Sequence, residues 1–303
     1  MRRIRYLPKS QFKRLKMKIA ILGLGLIGGS IALELKTRSL GTIEVLGVDT
    51  NENHQKEAVA RKLVDDLVTE EEAFAKAEII LLATPVNSIK KNLWSYLDKI
   101  NSSQVIIDMG STKRHICHAV TDHIKRSRYV AAHPLAGTEF SGPKAAHLDL
   151  FKGKKSIICE SEKSDKNAMN LAIKIFDFLG MQILYLSPEE HDKHMAYVSH
   201  LSHISSFTLS LTVQEIEKDE KQIFNLASTG FESTARLAKS NANTWGPIFE
   251  ANSEYLLEAI DMYIDNLNKF RKSLTNHDQE GAKSLMLKAN DISRVLDGIN
   301  FKN

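Results

Sequence analysis

Four consecutive apolar residues, Ile19, Ala20, Ile21 and Leu22, run straight into Gly23-Leu24-Gly25-Leu26-Ile27-Gly28. A short apolar run that ends in G-x-G-x-x-G and then enters a helical pattern constrains this chain more than any other feature. It predicts a buried strand, a tight turn and a helix packed back on the strand, the opening unit of a dinucleotide-binding α/β domain. Gly23 permits the turn, Gly25 lets the backbone approach a pyrophosphate, and Gly28 lets helix and strand close up. The N–H groups of the first helical turn, at Leu26, Ile27 and Gly28, together with the helix dipole, suit phosphate. A second apolar run, 43–48, ends at Asp49, where an acid is expected to meet the adenosine ribose. Asp49 would repel a 2′-phosphate, and Thr50, Asn51 and Glu52 follow it without an arginine. The expected cofactor is therefore NAD rather than NADP. The competing reading is a glycine-rich turn in another kind of α/β protein.

Further strands are predicted at 79–83, 105–108, 129–132, 156–159 and 183–186, with helices at 30–35, 55–61, 89–100 and 167–179. Strands apolar on both faces and alternating with helices predict a doubly wound, Rossmann-type parallel sheet covered on both sides. The pattern stops near Ser187-Pro188. Beyond it, 189–214, 221–227, 233–239, 244–275 and 279–296 all read as amphipathic helices, which pack on one another. The expected organisation is a basic tail at 1–16, a dinucleotide-binding domain at 17–187 and an all-α domain at 188–303.

With 303 residues, two domains fit. Of 41 Lys and Arg, seven lie in residues 1–16; the remaining 34 face 37 acids, a net of −3. The basic character thus belongs to the tail, and a nucleic-acid role, which needs a basic face on the folded domain, is not expected. The tail lacks the apolar core of a secretory signal. It reads either as residues ahead of a true start at Met17 or as an organellar transit segment. There is no run of about 20 apolar residues, so no membrane span is expected. Cys117 and Cys159 show no metal-type pairing, which suits a reducing, cytoplasmic setting and no disulfides.

Five segments carry chemistry. Thr84-Pro85 ends a strand at the carboxyl edge of the sheet, where open α/β sheets bind ligands; it is either a cofactor contact or a plain turn. Ser111, in Asp108–Lys113, and His133, which opens 133–139, follow strands at that same edge. A histidine there is placed to take a proton as hydride leaves a carbinol carbon; otherwise it is a capping or core residue. In the helical half, His200 and His203 share one helix face. They are metal ligands together with His191 and His194, an ordinary polar face, or substrate contacts. Arg236 lies in an otherwise apolar helical stretch and is either a carboxylate clamp or a surface residue.

The segments GLGLIGGS (23–30), DMGSTK (108–113), HPLAGTE (133–139), SHLSH (199–203) and RLAKS (236–240) followed by Trp245 together resemble the prephenate dehydrogenase family. The likeness runs from Met17 to about residue 300. HPLAGTE with SHLSH is its specific part. The resemblance implies oxidative decarboxylation of prephenate: hydride leaves ring C4 for NAD, His133 accepts the hydroxyl proton, and Ser111 orients the hydroxyl or the histidine. The new ketone then acts as an electron sink, CO2 departs and 4-hydroxyphenylpyruvate results. It implies carboxylate binding by Arg236 and His203, polar active-site contacts from Thr138 and Glu139, and a homodimer through the helical domain, with Trp245 reaching toward the partner's site. No metal is implied.

Three positions depart from the family pattern. Ser202 stands where proline is common, Ala235 where threonine is common, and Glu232 where a base is expected. The last puts in doubt an ion pair between residue 232 and Glu139. No C-terminal ACT-type regulatory domain is expected after Asn303. Arogenate dehydrogenase is the nearest alternative. A β-hydroxyacid dehydrogenase or pyrroline-carboxylate reductase would leave HPLAGTE and SHLSH unexplained, and a non-catalytic NAD sensor would have no need of His133 and Ser111.

Overall fold

The structure is a computed structural model that describes residues 16–217 and 223–294. In chain order the first part comprises β1 (Met17–Leu22), α1 (Leu26–Arg38), β2 (Ile43–Val48), α2 (Glu52–Ala60), β3 (Asp66–Leu67), α3 (Glu70–Lys76), β4 (Ile79–Leu82), α4 (Val86–Lys99), β5 (Val105–Asp108), α5 (Arg114–His118), β6 (Tyr129–Pro134), β7 (Lys155–Cys159), α6 (Lys166–Phe178) and β8 (Gln182–Leu186). The strands form one sheet in the order β3-β2-β1-β4-β5-β6-β7-β8. Strand order reverses at β1, between β2 and β4, which opens a crevice above its carboxyl end.

The sheet is not wholly parallel, contrary to the sequence reading. β7 runs antiparallel to β6, and β8 runs parallel to β7. Parallel pairing needs a crossover that carries the chain back to the opposite edge. Residues 135–154 make no such crossover: Leu135 N donates to Lys155 O at 2.8 Å, so the loop leaves and re-enters at one edge. The loop instead lies over α1 and α2. There Arg61 donates to the carbonyls of Lys144 (2.9 Å) and Ala146 (2.8 Å). Short β3, α3 and α5 also escape the sequence pattern, because two to seven residues carry too little periodicity.

Alternation along β1 divides the core. Ile19 and Ile21 pack in one apolar layer with α1 and α6, while Ala20 and Leu22 pack in the other with α3 and α4. Each fully buried Ile or Leu contributes about 1.5–3 kcal/mol.

The second part is helical: α7 (Pro188–Met195), a π turn (Ala196–His200), α8 (Leu201–Glu217), α9 (Thr229–Ala235), a 3-10 turn (Arg236–Lys239), α10 (Ala242–Ala251), α11 (Ser253–Thr275) and α12 (Gln279–Asn290). A capping box at Ser187 and Glu190, with Pro188 in the first turn, starts α7 where β8 has just ended. The helix expected over 189–214 is therefore interrupted by a π turn, and the one expected over 244–275 breaks at Asn252 (φ −116°, ψ 23°). The helix expected over 221–227 reduces to a 3-10 turn at Ile223–Leu226, residues 221 and 222 lying outside the described residues. Residues 1–15 of the expected tail and residues 295–303 at the end of the chain also lie outside them. Among the described residues no helix is long and apolar enough to cross a membrane.

Candidate active site

The glycine turn forms a cradle. Gly23 has φ +93°, and a Cβ there would lie 2.6 Å from Ala83 O and 2.9 Å from Thr84 N, so this turn touches the Thr84-Pro85 turn. A Cβ at Gly28 would lie 1.9 Å from Gly23 O. Gly25 differs: a Cβ there would meet nothing within 4 Å. It caps the 13-residue α1 with no side-chain hydrogen bond and no acid in the first turn. No side chain caps the N–H groups of this first turn, at Leu26 and Ile27, which suits a pyrophosphate.

Asp49, just past β2, is tied to this loop. Its Oδ2 accepts from Leu24 N at 2.8 Å and its Oδ1 from Asn51 N at 2.9 Å. Oδ1 keeps a second lone pair for a ribose hydroxyl. His54 Nδ1 lies 3.3 Å from Oδ2.

Along the sheet edge, Ser111 follows β5 and His133 lies near the end of β6. Beneath them Lys113, fully buried, donates to Asp108 and to Ala132 O (2.6 Å), and Tyr129 OH donates to the other oxygen of Asp108. Burial, then the Asp108 charge, raises the Tyr129 phenol well above its usual range.

His133 Nδ1 lies 2.8 Å from His191 Nε2, and His191 Nδ1 lies 2.7 Å from Asp192 Oδ1. Asp192 also accepts from the backbone N–H of Lys113 (2.7 Å) and Arg114 (2.9 Å), holding the start of α5. His133 keeps some solvent-facing surface, yet its ring sits deep. Burial, then the neighbouring His191, Lys113 and His200, pushes its pKa well below the usual range. A neutral ring is the form a base requires.

The contacts continue into the helical half. Asn252 Nδ2 donates to Asp192 O at 2.7 Å and lies 3.0 Å from His200 Nδ1. Burial lowers His200 to about 4. His200 and His203 both meet Trp245; His203 stacks on it with centroids 3.4 Å apart. His203 Nδ1 lies 3.0 Å from Ser199 O, and burial lowers its pKa. Arg236 opens the 3-10 turn after α9, a turn tied to α8 by Ala238 N donating to Ser206 Oγ at 3.0 Å. Arg236 Nη1 donates to Glu139 Oε2 at 2.8 Å, so Glu139 pairs with Arg236 and Glu232 plays no part in that pair. Thr138, beside Glu139, accepts from Phe140 N at 3.2 Å.

His191 is spent on Asp192 and His133, His194 is exposed, and among the described residues no group of three or more His, Cys, Asp or Glu is arranged to hold a metal.

Comparison with known proteins fits this architecture. Residues 31–185 match the model described as prephenate dehydrogenase, nucleotide-binding domain, and residues 187–288 match prephenate dehydrogenase, dimerization domain. The chain belongs to the prephenate dehydrogenase family. The prephenate dehydrogenase of Bacillus subtilis (strain 168) is 30% identical over 293 residues, 95% of this chain and 78% of that protein. The solved prephenate dehydrogenase of A. aeolicus, in complex with hydroxyphenyl propionate and NAD+, has a TM-score of 0.79 at 28% identity, covering 92% of this chain and 97% of that one. Synechocystis arogenate dehydrogenase has a TM-score of 0.72 at 26% identity, covering 92% of this chain and all of that one. The protein is thus a dehydrogenase of this family, whose chemistry belongs to tyrosine biosynthesis, and its nucleotide-binding and helical parts follow the family order.

Within this prephenate dehydrogenase fold, sequence reasoning missed Asp192, Asn252 and the burial of Lys113, and it weighed His191 only as a metal ligand. The adjacent His191-Asp192 pair was a signal, but one that needs to be known to face His133.

Proposed function

We propose that this protein oxidatively decarboxylates prephenate to 4-hydroxyphenylpyruvate with NAD, working as a cytoplasmic homodimer. The observation that carries the reading is one continuous run of contacts, His133–His191–Asp192–Asn252–His200–Trp245–His203, from the sheet edge into the helical half. It supports a single site shared between residues 17–187 and 188–303, with the boundary at 187.

Bound NAD would supply the hydride acceptor. Gly23, Gly25 and Gly28 with the first turn of α1 would hold its pyrophosphate, Asp49 its ribose, and Thr84-Pro85 would flank it. Asp49 supports NAD over NADP. His133 takes the proton from the C4 hydroxyl as hydride leaves that carbon with both electrons, and Ser111 orients the hydroxyl. CO2 then departs from C1, its bonding pair enters the ring, and His133 returns its proton to the phenolic oxygen. Arg236 and His203 bind substrate carboxylate, with His200, Trp245, Thr138 and Glu139 lining the site. Arogenate presents the same ring chemistry with an amine on the side chain.

The dimer is supported by apolar side chains left open on the helical half. Leu257, Met262, Ile264, Leu267 and Leu274 on α11, with Leu211 on α8, are each about half exposed or more. The family model matched over 187–288 is a dimerization domain.

The test is a panel of prephenate or arogenate with NAD or NADP, followed by absorbance of the reduced cofactor. Turnover of prephenate with NAD is expected; no turnover of either substrate would sink the proposal, and turnover of arogenate alone would move it to the other enzyme. His133→Asn is expected to abolish hydride transfer while NAD still binds.

A further inference from the structure

We propose that His191, held by Asp192, is a positioning residue that fixes His133 as the Nδ1–H tautomer and leaves its Nε2 as the proton-accepting atom. The inference rests on the reading of His133 as the base.

Asp192 anchors the arrangement. Its two oxygens receive three N–H groups: the backbone of Lys113 and Arg114, and the ring of His191. Burial alone would raise this carboxyl, but these hydrogen bonds hold it below its usual range. The backbone donors also fix its orientation. An ionised carboxylate only accepts, so His191 Nδ1 carries the hydrogen. Burial keeps His191 neutral despite the Asp192 charge, so its Nε2 is a bare lone pair. His133 Nδ1, 2.8 Å away, must then be the donor. A neutral imidazole holds one N–H, which leaves Nε2 of His133 bare. That nitrogen makes no hydrogen bond among the described residues. Free neutral histidine prefers the opposite tautomer, with hydrogen on Nε2, which would present a donor where a base is required. The contacts of Asp192 and of a neutral, buried His191 reverse that preference.

The arrangement also serves the charged intermediate. When His133 Nε2 takes the hydroxyl proton, the O–H bond breaks, an N–H bond forms and the ring becomes cationic. Its Nδ1–H still points at His191 Nε2, whose far side donates to the Asp192 carboxylate. The negative charge thus supports the new positive one through a neutral ring, as in triads where a carboxylate orients a histidine.

The primary test needs no turnover. The full chain, labelled with 15N-histidine, is studied by long-range 1H–15N correlation at neutral pH. The His133 signals among the eleven histidines are assigned by their loss in His133→Asn. An unprotonated Nε2 and a protonated Nδ1 are expected; a protonated Nε2 overturns the proposal. Kinetics provide the second arm. His191→Leu removes the acceptor and is expected to lower kcat by about 100-fold, within the usual range for general-base catalysis, with KM and NAD affinity little changed. His191→Gln, whose amide oxygen reaches the place of Nε2, is expected to recover about tenfold of that loss, since the acceptor that sets the tautomer is restored. Less than a tenfold fall in Leu, or a Gln variant no better than Leu, overturns it. If instead the unmodified protein shows the expected tautomer while His133→Asn keeps full turnover, the base assignment fails and the tautomer stands.

Discussion

Arg236 Nη1 and Glu139 Oε2 meet at 2.8 Å, joining the turn after α9 to the loop after β6. Arg236 is the cation that the family resemblance assigns to substrate carboxylate, and here it already has a carboxylate partner. The Glu139 carboxyl is held below its usual range by its own backbone N–H and then by Arg236. A dianionic substrate bound through Arg236, as proposed, would share or replace this partner.

Arg236→Ala is expected to raise KM for prephenate by about one to two decades, the cost of losing a hydrogen bond to a charged group. Glu139→Gln removes the competitor and is expected to lower KM modestly in the same assay. Steady-state kinetics at fixed saturating NAD checks both. An unchanged KM in Arg236→Ala would remove Arg236 from the site.

The two inner glycines separate fold from function. A Cβ at Gly28 would strike Gly23 O, so Gly28→Ala is expected to destabilise the protein by roughly 1–3 kcal/mol. A Cβ at Gly25 meets no protein atom, so Gly25→Ala is expected to cost about 1 kcal/mol or less while weakening NAD binding at least tenfold. Denaturant melts and cofactor titration read the two effects separately.

Lys113 and Asp108 are both fully buried. Lys113→Met leaves the Asp108 carboxylate with only Tyr129 OH and Gly110 N as donors and is expected to cost roughly 3–5 kcal/mol. Lys113→Met with Asp108→Leu removes both charges and is expected to cost less than Lys113→Met alone. Urea midpoints of the three proteins decide this.

Acid should destabilise the fold through its buried histidines. His200 falls to about 4 in the folded protein, against about 6.5 unfolded. The unfolded chain therefore binds more protons between these values, and stability is lost as pH falls from about 6.5 toward 4. At pH 5 the loss from His200 alone is about 2 kcal/mol. His133, His191 and His203 shift the same way. Urea melts at pH 7.5 and pH 5 should differ by at least that amount, and by less in His200→Gln.

Much of the fold was legible in sequence because it rests on local periodicity. Ile19–Leu22 before the glycine turn, and the runs at 43–48, 79–83 and 105–108, each carry a strand's full apolar signal. The reversal of β7 and β8 was not legible, because strand direction depends on where residues 135–154 travel, and that loop is held by Arg61, just past the end of α2. Likewise 196–200 has no local mark of a π turn in its sequence.

Sequence by itself determined the nucleotide cradle, since Gly23, Gly25, Gly28 and Asp49 act within one βαβ unit at fixed spacing. Its motifs also marked His133, His203 and Arg236, the residues proposed to carry the chemistry. Only the tertiary structure decided how they are connected. His133 and His191 are 58 positions apart and Asn252 and Asp192 are 60 apart, yet each pair is in hydrogen-bond contact. Hydrogen bonds act over about 3 Å and depend on direction, so partners that distant in sequence are settled only when α7 and the α10–α11 break pack against the sheet edge.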